Sequence, residues 1–197
     1  MRVSFLLLAA GLAVAAGAEE GRVIAVAPFG DVAAEELSPL FPVLRETFGA
    51  EVVAAPAVPL PPDAYDARRR QHLSTALLDA LARARRPTWD RLLGVADVDL
   101  FVPQLNFVFG EGDPSRGVAV FSLHRLRAEG NGPGAGRFAR RAATEAVHEL
   151  GHSYGLGHCQ DPHCVMWFSN TLGETDRKGT RFCAAHEAEL RRLMARP

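Results

Sequence analysis

Charge of one sign is what this chain lacks most plainly. Its 22 basic and 23 acidic residues leave a net charge of -1. There is no basic footprint for nucleic acid and no acidic tail. Cysteine is scarce, at three residues in 197. Three cannot all pair, so a disulfide framework is excluded and a metal is the better use for them. The apolar run from Ser4 to Ala16 is too short to cross a bilayer as a helix. No cysteine follows it, so it offers no point for lipid attachment. It reads instead as a signal peptide over residues 1–18, with Arg2 as the basic start and Ala16-Gly17-Ala18 as the cleavage site. The expectation is an exported protein, periplasmic or secreted, that begins at Glu19 and keeps no stable hold on the membrane. Residues 19–197 have the size of a single domain.

What the chain does have is concentrated between His148 and His186. Five of its seven histidines and all three cysteines lie there. The stretch opens H-E-L-G-H-S-Y-G-L-G-H-C at His148. His148 and His152 are four apart, so a helix stacks them one turn above each other on one face. Two imidazoles so placed can grip one tetrahedral ion. Glu149 cannot easily reach that ion, but it can reach a water bound to it and act as its general base. His158 comes ten residues after His148, too far round a straight helix, so the chain must turn back. Gly155 stands where that turn is needed and tolerates the positive φ it demands. Three histidines leave the fourth position of a tetrahedron open, as catalytic zinc requires.

The pattern H-E-x-x-H-x-x-G-x-x-H is the metzincin signature. The Cys directly after the third His, then Cys164-Val165-Met166, then Cys183 and His186, resembles the archaemetzincin family. The resemblance extends to V-D-L-F-V-P-Q-L-N-F-V-F-G from Val98 to Gly110 and to S-L-H-R-L from Ser122 to Leu126. It implies a zinc metallopeptidase with peptide or protein substrates and aminopeptidase-like action on short peptides. It also implies a second, structural zinc held by the cysteines, hence two ions per chain. The family usually ends its motif C-x-x-C, and here His186 takes the last position. Cys159, Cys164, Cys183 and His186 can close a Cys₃His site, with C-x₄-C and C-x₂-H as its chelate loops. His163 is the rival for the fourth place, but it precedes Cys164 directly and could share its ion only with strain. Thiolates in an oxidising compartment stand in tension with export, which bound zinc would relieve by holding the sulfurs apart. Met166 fits the methionine turn of metzincins, where its role is packing. The tyrosine that follows that turn in some relatives is missing, since Trp167 and Phe168 stand there. Only Glu19 to Gly21 separate the cleavage site from the first strand, which leaves no room for a blocking pro-segment. A zinc-stabilised peptide-binding module without turnover is the alternative, and the intact Glu149 argues against it.

Strand-like and helical stretches alternate, which argues for an α/β (α+β) fold. We expect a mainly parallel sheet with an antiparallel edge strand, packed on helices that include the zinc-binding one. Strands are expected at Arg22–Phe29, Val52–Ala55 and around Leu92–Val95, and helices at Leu37–Phe48 and Ala67–Arg86. Phe107–Phe109 and Val118–Ser122 read as two strands, with the first at the edge, where a peptide could add as another strand. Arg68–Arg70 and Arg83–Arg86 read as solvated faces. Glu129–Gly136 is either a flap or a connector. The active-site helix spans Arg137–Gly155, with Tyr154 in the core. The protein is expected to be a monomer.

Overall fold

A computed structural model describes residues 21–127 and 134–195. The expected signal peptide and most of the Glu129–Gly136 stretch lie outside the described residues. The apolar, β-branched run Val23–Pro28 forms the first strand, β1. A short helix α1 (Ala34–Leu37) and a longer α2 (Leu40–Phe48) lead to β2 (Glu51–Ala54). The expected single helix from Leu37 is thus broken at Ser38-Pro39. Pro42 falls in the first turn of α2, where its missing N–H has no helical partner to lose. Leu40, Leu44 and Phe48 are its buried stripe.

The helix expected from Ala67 starts later than its composition suggests. Tyr65–Asp66 (β3) and Gln71–Leu73 (β4) pair antiparallel as a small hairpin, and α3 runs only from Ser74 to Ala84. The reason is local. The Asp66 carboxylate accepts the backbone N–H groups of Arg68 and Arg69, and Arg70 takes a left-handed φ of 54°. Both features make a turn where a helix would otherwise begin. Leu73 accordingly belongs to a strand, while Leu77, Leu78 and Leu81 remain the buried face of the helix.

After β5 (Arg91–Ala96), the short β6 (Leu100–Phe101) joins β4, completing a three-stranded side sheet β3-β4-β6. The antiparallel edge strand is β7 (Gly110–Asp113), directly after the aromatic run expected to form it, and it pairs with β8 (Val118–Ser122). Of Phe107–Phe109, Val108 makes an isolated bridge to Leu100 and the rest is irregular. The main sheet has the order β2-β1-β5-β8-β7, parallel except for β7.

Strand alternation divides the core in two. Ile24, Val26, Leu93 and Val95 face α2 and the long helix α4 (Gly134–Tyr154). Ala25, Ala27 and Leu92 face α3. Burying a Leu or Ile on either face contributes about 1.5–3 kcal/mol each. Two further helices, α5 (Leu172–Lys178) and α6 (Ala184–Met194), pack beside α4. No helix among the described residues is long and apolar enough to cross a membrane.

Candidate metal centre and cleft

The half of helix α4 that carries the motif is buried, against β7 and β8 of the sheet and against α2, α5 and α6. His148 and Glu149 are 5% and 4% exposed. The helix stops at Tyr154, and Gly155 takes φ 102°. There the Leu156 N–H donates to the Gly151 carbonyl, and the chain folds back. That brings the His158 ring to 5.6 Å from His148 and 4.8 Å from His152, centroid to centroid. One nitrogen from each of the three rings lies within 4.8 Å of the others.

The hydrogen bonds decide what those nitrogens can do. His148 Nδ1 donates to the Val165 carbonyl at 2.7 Å, and His152 Nδ1 donates to the Leu156 carbonyl at 2.8 Å. A carbonyl oxygen only accepts, so each Nδ1 carries its ring's proton and each Nε2 presents a lone pair. The two Nε2 atoms are 3.1 Å apart. Two lone pairs at that distance repel unless a cation lies between them. Tetrahedral zinc with Zn–N near 2.0–2.1 Å would set them about 3.3 Å apart. Burial lowers His152 to about 4 and His148 well below its ordinary value, and partial desolvation lowers His158 too, so all three shifts favour the neutral ring. Neutral imidazole is the form that binds metal.

Glu149 is held by a close approach of the edge strand. A Cβ on Gly110 would sit 2.5 Å from Glu149 Cγ and 2.4 Å from the Val120 carbonyl oxygen, so only glycine fits there. Burial, and then the Glu145 carboxylate one turn earlier, push the Glu149 carboxyl well above its usual range; Lys178 opposes them. Glu145 and Lys178 are a pair the motif did not reveal. Their side chains are 2% and 0% exposed, and Lys178 Nζ lies 3.1 Å from Glu145 Oε1. Thr175 Oγ1 also donates to Glu145, at 3.1 Å, and Lys178 donates to the Trp167 carbonyl. Glu145 could have been suspected from its i−4 spacing to Glu149. Lys178 could not, because α5 brings it in from another part of the chain.

The second group gathers Cys159, Cys164, Cys183 and His186, again with ligand atoms within 4.8 Å. Cys159 Sγ and Cys183 Sγ are 3.8 Å apart. This is far from a disulfide and equal to the edge, about 3.8 Å, of a zinc tetrahedron with Zn–S of 2.3 Å. Cys183 Sγ lies 3.4 Å from His186 Nδ1. The backbone N–H of His186 at the start of α6 lowers the Cys183 thiol to about 7, while burial pushes Cys164 up to about 12. His163 stays outside the group; its backbone N–H donates to Asp161. His158 and Cys159, though adjacent, fall into separate groups. The segment Val165–Trp167 serves both: the Val165 carbonyl orients His148, the Met166 carbonyl accepts the Cys159 N–H, and Met166 itself is fully buried.

The three histidines and Glu149 open into a cleft between β7 and the segment after Met166. Val102, Leu105, Phe107 and Phe168 give it apolar walls. The Phe168 ring stands edge-on to His158 at 4.9 Å. Tyr154 is buried away from the cleft, its hydroxyl donating to Asp90 at 2.6 Å with Arg91 over its ring. It is a core residue, as expected.

Known proteins match this arrangement along most of the chain. The profile of Peptidase family M54 covers residues 54–192. An archaemetzincin of Pyrococcus furiosus is 39% identical over 168 residues, 81% of this chain and 88% of the relative. One of Methanopyrus kandleri is 41% identical over 153 residues, 78% and 85% of the two chains. The crystal structure of archaemetzincin from Methanopyrus kandleri superposes with a TM-score of 0.81 at 36% identity, covering 92% of this chain and 99% of that one. That of Archaeoglobus fulgidus, complexed with malonate, gives 0.73 at 35% identity over 85% and 99%. With sequence, fold and ligand groups in agreement, the chain belongs to Peptidase family M54, the archaemetzincins, and is a zinc metallopeptidase.

Proposed function

We propose that this metallopeptidase hydrolyses peptide bonds with Glu149 as its general base, in aminopeptidase-like action on short peptides. The observation that carries the reading is the pair of lone-pair nitrogens of His148 and His152, 3.1 Å apart, with the Glu149 carboxylate beside them. His148, His152 and His158 would hold the zinc, which when bound would supply Lewis-acid polarisation and make a water acidic enough to lose its proton near neutral pH. Glu149 takes that proton at its carboxylate as the water attacks the scissile carbonyl. It then delivers the proton to the leaving amine. The outer edge of β7, the last strand of the sheet, can take the substrate backbone as an added strand, and Gly110 and Gly112 let α4 seat closely against that strand. Cys159, Cys164, Cys183 and His186 would hold a second, structural zinc, which would brace His158 through its neighbour Cys159.

The test is digestion of a peptide library by the zinc-loaded protein, with and without a chelator. Chelator-sensitive products shortened from the N-terminus are expected. Uptake of peptides without any cleavage would mark a binding module instead.

We also propose that the protein acts after export, as a monomer without nucleic acid and without stable membrane association. Residues 1–18 are the support for export: a basic start, an apolar run and a small-residue cleavage site. N-terminal sequencing of the protein from its natural source should read from Glu19. An active form that still begins at Met1 in the cytoplasm would overturn this.

A further inference from the structure

The two stretches Val98–Gly110 and Ser122–Leu126 carry no metal ligand, yet they meet directly behind the cleft. Asp99 accepts two hydrogen bonds from Arg125, Nε to Oδ1 at 2.6 Å and Nη2 to Oδ2 at 2.7 Å. The Arg125 guanidinium also lies over the Phe107 ring, 4.0 Å from its centroid. From the side sheet, Arg69 Nη2 donates to the Leu105 and Asn106 carbonyls at 2.7 and 3.1 Å. Gln71 Nε2 donates to the Asn106 carbonyl at 2.9 Å and to Asp99 Oδ2 at 3.1 Å. Arg69 Nε donates to Gln71 Oε1 at 2.9 Å, which closes the network. Arg69 is therefore a tie and not the solvated face that the Arg68–Arg70 run suggested.

These bonds grip residues 102–109, which form one wall of the cleft and have no ladder of their own beyond the Val108 bridge. The grip is entirely on backbone carbonyls and on the back of the Phe107 ring. The apolar faces of Leu105 and Phe107 are left to the cleft, and Leu105 is 41% exposed. Charge-assisted bonds of this kind are roughly twice as strong as neutral ones. Burial works to raise the Asp99 carboxyl, but the bonds from Arg125 and Gln71 hold it below its usual range.

We infer that Arg69, Gln71, Asp99 and Arg125 are positioning residues: they fix the Leu105–Phe107 wall and thereby set a preference for peptides with a bulky apolar side chain next to the scissile bond. This rests on the proposal that peptides lie along β7. The network would act on which side chain is seated, and Glu149 chemistry would be untouched by it.

The experiment uses the zinc-loaded full chain and three variants, Arg125→Gln, Arg125→Lys and Arg69→Gln. Matched peptides with Phe, Leu or Ala beside the scissile bond are compared, and amide hydrogen exchange is followed at Leu105 and Val108. The wild type should show the lower KM for Phe and Leu. Arg125→Gln and Arg69→Gln should raise those KM values about tenfold, the usual value of a few apolar contacts. KM for the Ala peptide and kcat for all three should move less than roughly threefold. Exchange at Leu105 and Val108 should quicken in both, and Arg125→Lys should fall between wild type and Arg125→Gln. A uniform fall in kcat for every peptide would mean a merely structural role and would overturn the inference. So would unchanged KM ratios and unchanged exchange in folded, zinc-replete variants. If Arg125→Gln does not fold, Arg69→Gln decides, since its side chain is reached from the surface. A wild type that cleaves no peptide overturns the substrate reading and the preference with it, and the exchange data alone then uphold or sink the clamp.

Discussion

Glu149→Gln should keep its full zinc content and lose at least ~100-fold in rate, the low end of what removing a general base costs. The amide is nearly isosteric, so Gly110 and the edge strand can stay where they are. The ligands His148, His152 and His158 are untouched. What disappears is the carboxylate proposed to take the proton. The pH profile gives a second check. The base works only when ionised, so the wild-type rate should fall as pH drops through the Glu149 pKa. The residual rate of the variant should lack that acid limb. Near-full activity would sink the mechanism. Loss of metal would show Glu149 supporting the ligands instead.

The second large effect is expected at His186. His186→Ala should take the zinc count, measured by native mass spectrometry, from two per chain to one, or leave the chain unfolded. Structural zinc contributes folding free energy outright. If the remaining cysteines keep a loosened ion, a loss on the order of 3 kcal/mol is expected, or ~10 °C in Tm for a chain this size. Activity should fall about 10- to 100-fold as well, the scale of an outer support to a metal ligand, because Cys159 adjoins His158. His186→Cys should keep both ions and the stability. Full stability and two ions in His186→Ala would show that the fourth ligand lies elsewhere.

The metal groups were legible in the sequence because their geometry is local. Helical spacing stacks His148 on His152, Gly155 supplies the turn, and short loops carry the cysteines. The strands β1, β2, β5 and β8 were legible for the same reason, as short and mostly apolar runs. The errors have physical causes too. Aromatic, β-branched Phe107–Phe109 looked like a strand, yet the true edge strand is Gly-Glu-Gly-Asp, poor in strand propensity. The tight seat of α4 against Gly110 and Gly112 selects those residues over better strand formers. The Ala67–Arg86 stretch has helical composition throughout, but a single Asp66 turn diverts its first third. Contacts between distant segments left no local trace. Asp99 with Arg125 and Glu145 with Lys178 read as unrelated charges until the fold brings them together.

Lys178 has one more consequence. It is the only lysine in the chain, and its side chain is sealed from solvent against Glu145. An acylating or crosslinking reagent that seeks amines therefore finds, in the native protein, a single reachable target: the α-amino group at whatever residue the chain begins. A mild amine label becomes a site-specific handle without engineering. A second attachment, at Lys178 and appearing only when the Glu145 pair opens, would report directly the unsealing of that buried pair near Glu149.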